Sequence, residues 1–225
     1  MTSGTILTHS NRAADNMRSI IIRLMTKQQI KAIGFFLATY ESNLKYISNF
    51  QLFKKKKNLP VYAVKGDHNF PDFLSAFRVA RNVKKGGSKK LLKITNVWIN
   101  NKANSKKVDE FAKEIKRRKL SHGKIMTSLA SKILFLNDPW HVLPIDTQVR
   151  ASVGQIDNKY ERYPSIAFNT LKNKEFIKCL KFVSRFATKI EKGYKTDIKN
   201  IEKVRRNRLL DIFLWSQNGE VQELA

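Results

Sequence analysis

Apolar residues in this chain recur three and four positions apart along nearly its whole length, and strand-like alternation is scarce. Ile20, Ile21, Leu24 and Met25 form one such group, followed by Ile30, Ile33, Phe36, Leu37 and Tyr40, then by Leu44, Ile47 and Leu52. Each group places its apolar side chains along one side of a helix. Pro71, tolerated in a first helical turn, opens another helix carrying Phe73, Leu74, Phe77 and Val79. Only the run from Lys90 to Ile99 suits helix and strand equally. The spacing predicts an all-α protein.

Two further helices are predicted back to back. Val108, Phe111, Ile115 and Leu120 define the first, with charged residues on its opposite face. A break at Ser121, His122 and Gly123 precedes the second, which runs through Met126, Leu129, Ala130, Ile133 and Leu134 and ends near Asn137, Asp138 and Pro139. The pair reads as helix, tight hairpin, helix. The last third carries helical patterns at Ser165 to Leu171, Lys174 to Ile190 and Ile198 to Trp215, with lysines on their outer faces. Lys54 to Lys57 and Lys84 to Lys90 are predicted to be exposed loops, since crowded like charges repel on a regular element. No internal repeat is present.

Charge decides the class of partner. Forty-four Lys+Arg against eighteen Asp+Glu leave a formal net charge of +26 on 225 residues, far more than solubility requires, and imply a polyanion. No apolar run approaches the roughly eighteen residues of a membrane span, and the N-terminus lacks the basic-then-apolar layout of a signal. Nucleic acid is therefore favoured over a membrane surface. The single cysteine, Cys179, rules out an intramolecular disulfide and any four-cysteine zinc or iron–sulfur site within one chain, and suggests a reducing, intracellular setting.

After the second hairpin helix comes the stretch Leu143 to Arg150, LPIDTQVR. Its one carboxylate, Asp146, follows an apolar approach and a proline and precedes a short helix over Thr147 to Val153. Two roles fit it. Aspartate is a preferred N-cap, and a carboxylate so placed can also stabilise a developing cation.

The ordered set of hairpin, TSLASKIL (Thr127 to Leu134) and PIDTQVR (Pro144 to Arg150) resembles the helix-hairpin-helix DNA glycosylase superfamily. In that family the second hairpin helix carries an alanine-containing turn, and the aspartate motif is similar to V-D-T-H-V-x-R. Sixteen residues separate Ala130 from Asp146, which puts the two motifs in the family's register. The resemblance implies a two-lobed helical fold, with a central domain at 30–135 and a second domain built from 1–29 and 136–225. It also implies a DNA N-glycosylase that extrudes a damaged, mismatched or modified base from duplex DNA. Asp146 would stabilise the sugar cation and position water, and no cofactor is needed.

Departures from the family pattern carry information too. Family hairpins resemble L-P-G-V-G, whereas this one reads LSHGKIM with Gly123 alone. Ser121, His122, Gly123 and Lys124 are the phosphate-contacting candidates, with Thr127 and Arg150 beside them. Members that also nick DNA carry a Schiff-base lysine two residues before the alanine; Ser128 stands there, or Thr127 if the register slips by one. A hydroxyl resembles the monofunctional members, which leave an abasic site. Lys132 lies one turn beyond Ser128 on the same helix face, so a displaced nucleophilic lysine is the alternative. A noncatalytic helix-hairpin-helix DNA-binding protein and an RNA-associated structural protein are the remaining readings.

His9, His68 and His141 have no partners at metal-ligand spacing, and no metal site is predicted. The tryptophans Trp98, Trp140 and Trp215 and the phenylalanines are expected mostly in the core. One or two aromatic rings could stack on an extruded base, but no local signal selects them, Phe70 and Tyr40 included. The chain is expected to act as a monomer associated with DNA, in repair or in defence against invading DNA.

Overall fold

A computed structural model describes residues 25–56, 59–98 and 105–218. Among them there are helices and no strands, so the chain is all-α. His9, Ile20, Ile21, Leu24, Lys57 and Ile99, named above, lie outside the described residues.

Helix α1 (Lys27–Lys56) is the spine of the molecule. Its thirty residues extend about 45 Å, and it packs against the two C-terminal helices and against the second hairpin helix. Its start is a reciprocal cap. The Thr26 N–H donates to Gln29 Oε1 at 2.7 Å, and the Gln29 N–H donates to Thr26 Oγ1 at 3.2 Å. Ala32, Ile33, Phe36, Tyr40, Leu44, Ile47 and Phe50 form its buried face. Ile30 and Leu52, which share the apolar spacing, stay 45% and 36% exposed, because three and four residues apart is a necessary condition for a common face and not a sufficient one. Lys54, Lys55 and Lys56 are not in a loop: they occupy the last turn of α1, where the helix dipole favours cations.

The chain continues through α2 (Leu59–Tyr62), α3 (Phe70–Ala76), a 3-10 turn at Ala80–Asn82 and α4 (Ser88–Trp98). The run from Lys90 is thus helical. Lys84 and Lys85 do lie in a loop, whereas Ser88 to Lys90 open α4. Helix α3 stops at Ala76, short of Phe77 and Val79. Arg78 adopts a left-handed φ of 54°, and the Val79 N–H turns back to the Leu74 carbonyl at 2.8 Å. The same closure ends α5 (Ser105–Arg117): Lys119 has a φ of 55°, and the Leu120 N–H reaches the Ile115 carbonyl at 3.1 Å. Both turns bury the next apolar residue, Val79 or Leu120. Glycine is the usual signal for such a stop, and its absence hides both from sequence inspection.

Helix α6 (Thr127–Asn137) packs on α5 across the hairpin. Then follow α7 (Thr147–Ser152), α8 (Tyr163–Asn169) with a 3-10 turn at Thr170–Lys172, α9 (Lys174–Glu191) and α10 (Ile201–Asn218). Helix α10 packs against α1, α7 and α9 and is buried on nearly every side between Val204 and Leu214. One continuous apolar cluster joins α1 to all of these. Trp98, Trp140 and Trp215 pack partly buried against it. Phe70 and Tyr40 are fully buried within it, so neither ring offers a free face to a base.

Candidate active site

The segment between α6 and α7 is held at three points. The Ser131 hydroxyl donates to the Ser128 carbonyl and accepts the Ile145 N–H, both at 3.1 Å. The Tyr160 hydroxyl accepts the Leu143 N–H at 2.7 Å and donates to the Leu143 carbonyl at 2.9 Å. Asn207 of α10 donates to the carbonyls of Pro139 and Trp140 at 3.0 and 2.9 Å. Buried backbone polar groups need such partners, and the result is a rigid approach to Asp146.

Asp146 caps α7. Its extended backbone (φ −140°) lets Oδ1 accept the Val149 N–H at 3.0 Å. Its other oxygen lies 3.6 Å from Lys132 Nζ, with the carboxylate side chain 30% exposed and the lysine 12% exposed. The lysine also donates to the Phe77 carbonyl at 3.1 Å. A carboxylate that solvent reaches thus stands in front of an ammonium that solvent barely touches.

Behind this pair, α10 contributes Arg208 and Asp211, which are hydrogen-bonded to each other and buried. The Arg208 guanidinium also lies over the Phe77 ring, 5.0 Å from its centre. Burial pushes the Lys132 ammonium below the ordinary lysine range, against the opposing pull of the Asp146 and Asp211 carboxylates. Asp211 is pushed up to about 6, mainly by burial and further by the Asp146 charge, with Arg208 and Lys132 opposing. Burial also raises the Tyr163 phenol well above its usual range, helped by the charges on Asp211 and Asp146. Its hydroxyl is buried and has no hydrogen-bond partner among the described residues.

The other candidates are distributed around this centre. Ser128 is partly exposed, one turn before Lys132 on α6. His122, Gly123 and Lys124 are exposed at the hairpin, and Gly123 takes a left-handed φ of 79°. Ser121 is buried and its hydroxyl donates to the Lys124 carbonyl at 2.9 Å, so it braces the hairpin from inside. Thr127 is buried as well, its hydroxyl donating to the Asn158 carbonyl at 2.9 Å. Arg150 donates to the Asp157 carbonyl at 3.1 Å. The structure therefore brings Asp146 and Lys132 together, while Ser121, Thr127 and Arg150 spend their polar groups on the loops around them. His141 and His68 pair with the aspartates Asp138 and Asp67. No cluster able to hold a metal ion occurs among the described residues.

Arg208 and Asp211 escaped the sequence reading. Their signal was available: two charges interrupt the apolar run from Leu209 to Trp215 and its approach, on a helix otherwise suited to full burial. The loop after α7 escaped it too. Gln155 Nε2 donates to the Asp157 and Lys159 carbonyls at 3.1 and 2.6 Å, and Arg150 holds the loop from below. This braced loop presents Ile156 to solvent, 97% exposed. Comparison with protein-family models, with curated proteins and with solved structures found no match to this chain.

Proposed function

We propose that this chain is a DNA N-glycosylase of two-lobed helical architecture, acting as a monomer on duplex DNA that contains a damaged, mismatched or modified base. The observation that carries this reading is the pairing of Asp146, fixed as the cap of α7 and partly exposed, with Lys132 of the helix that follows the hairpin. Extruding a nucleotide would bring its sugar to the carboxylate. As the C1′–N bond breaks, its electron pair leaves with the base, and the fixed anion stabilises the oxocarbenium-like sugar. Water then adds to C1′ and gives its proton to Asp146, leaving an abasic site. Lys132 orients the carboxylate from behind, and Ser128 lies beside the sugar. The exposed hairpin residues His122 to Lys124 contact a phosphate, and Ile156, held out on its braced loop, fills the space the nucleotide vacates.

A second reading is favoured by the burial of Lys132. An amine whose charge is disfavoured by desolvation is closer to the nucleophilic free base. Attack of that amine on C1′ would expel the base with its electron pair; opening of the C1′–O4′ bond, with a proton passing from the nitrogen to O4′, would give an iminium, and loss of a C2′ proton would then break the 3′ C–O bond and release the phosphate. One assay separates the readings: incubate the protein with a panel of modified duplexes and measure base release and strand nicking independently. Base release without nicking and without borohydride trapping retires Lys132 as nucleophile. Full duplex binding with no base release, unchanged in Asp146→Asn, would leave a noncatalytic DNA-binding protein.

A further inference from the structure

Helix α9 has two opposite characters. Phe176, Cys179, Val183 and Ala187 are buried against the core. On the other side stand Lys174, Lys178, Lys181, Arg185 and Lys189, with Lys192 continuing the row at the C-cap, all exposed. At 3.6 residues per turn the six cations fall within about 80° of arc and extend about 27 Å. The helix has only two acids. Glu175 lies about 80° from the middle of the row and about 40° beyond its edge, and Glu191 is turned inward to Arg205 and Tyr40. None of the six cations has a carboxylate partner among the described residues.

Like charges three and four residues apart destabilise an isolated helix. A chain carrying +26 needs no such row for solubility. Elsewhere the protein does neutralise such neighbours: Glu114 on α5 holds Arg117 and Arg118, and Glu41 faces Lys45 on α1. Exposed cations without a carboxylate partner among the described residues also stand on α4, at Lys89, Lys90 and Lys93, but the α9 row has twice as many and lies along one face, and it calls for an external anion.

We infer that the outer face of α9 is a track for the phosphate backbone of duplex DNA, separate from the hairpin. A straight, stiff row of cations about 27 Å long matches a stiff polyanion that carries one charge per roughly 1.7 Å of axis. A membrane fits poorly. A helix lying on lipid needs an apolar face to sink into the headgroups, and the apolar face of α9 is already packed on α1 and α10. The exposed Ile177 and Phe186 sit on opposite flanks of the row, so they form no second apolar face. The duplex as partner is shared with the proposed function; the track itself requires no glycosidic chemistry.

The test is a salt titration of binding to an unmodified duplex by the full chain. Replacing Lys178→Glu, Lys181→Glu and Arg185→Glu together should lower affinity and flatten the slope of log K against log salt by about 2.7, the share of three phosphate contacts. Lys178→Arg with Lys181→Arg, which keeps the charge of the row, should bind like the parent. Lys89→Glu, Lys90→Glu and Lys93→Glu on α4 make a control of equal charge change and should flatten the slope far less. An unchanged slope in the α9 variant, an equal loss in the α4 control, or tighter α9-dependent binding to phosphatidylserine vesicles than to duplex overturns the inference. Base release decides the other reading separately: a chain that releases no base from any duplex but shows the α9 slope change loses the proposed function and keeps the track.

Discussion

Helix α10 supports two buried ion clusters one turn apart, and they are built to different ends. In the first, Arg205 pairs with Glu191 at 3.2 Å, and the Tyr40 hydroxyl donates to the same carboxylate at 2.7 Å. One cation meets one anion out of reach of solvent, and burial, then the bond to Glu191, holds the Tyr40 phenol above its usual range. In the second, Arg208 and Asp211 are joined by Lys132 and Asp146, and the chain of charges ends at a carboxylate that solvent reaches. A closed pair can only hold the fold together. An open one presents charge to whatever arrives.

The largest expected effect separates the two. Glu191→Ala leaves Arg205 buried without its partner and should cost about 3–5 kcal/mol in chemical denaturation, with base release per folded molecule unchanged. A loss below about 1 kcal/mol would mean that the first cluster is not closed.

Asp146→Asn should do the reverse. Asparagine is as good an N-cap as aspartate, and Lys132 keeps the Phe77 carbonyl and the Asp211 charge, so the stability loss should be small beside that of Glu191→Ala, while loss of the anion should slow the proposed base release by about a hundredfold to a thousandfold. The α9 cap provides a calibration, because Asn173 accepts the N–H groups of Glu175 and Phe176. Asn173→Ala should cost about 1 kcal/mol as a lost cap, and Asp146→Ala more than that, because it also takes the carboxylate from Lys132. An Asp146→Asn variant that releases base as fast as the parent reduces the open cluster to a cap.

The third contrast is in pH. The folded Asp211 carboxyl is raised to about 6, above its value in the unfolded chain near 4. Between those values the native state binds the extra proton, so stability gains as pH falls from 6 towards 4, by at most about 1.4 kcal/mol per pH unit. Asp211→Asn should remove this component. Identical pH slopes in parent and variant would place Asp211 outside the titrating cluster.

The smallest effect on the fold is expected at Ile156. A side chain 97% exposed should be replaceable by alanine within about 0.5 kcal/mol of stability. Its loss should nonetheless lower the fluorescence rise of 2-aminopurine placed beside the target base, which reports unstacking. Unaltered unstacking in Ile156→Ala would remove the residue from the extrusion step.

Most helices could be located from apolar spacing alone, because a face buried by an amphipathic helix is written into the local sequence. The hairpin between α5 and α6 and the cap at Asp146 were legible for the same reason: both depend on neighbours a few residues away. Less legible was where helices stop. Arg78 and Lys119 take the left-handed conformation that glycine would have advertised. The lysines of Lys54 to Lys56 looked like a loop because their mutual repulsion is local, whereas the length of α1 is set by burial of Phe50 and Phe53 against distant elements.

What the sequence determined by itself was the all-α class, the net charge of +26 on which the proposed polyanion partner rests, and the position of Asp146 at a helix start. Tertiary structure alone decided that Lys132 meets Asp146, that Arg208 and Asp211 stand behind them, and that Ser121 and Thr127 turn inward. Caps and periodicities are local, but the protonation and exposure of a charged group depend on every element packed around it. Lys132 acquires its character from the Phe77 carbonyl, from Asp146 and from α10, three places that only the folded chain brings together.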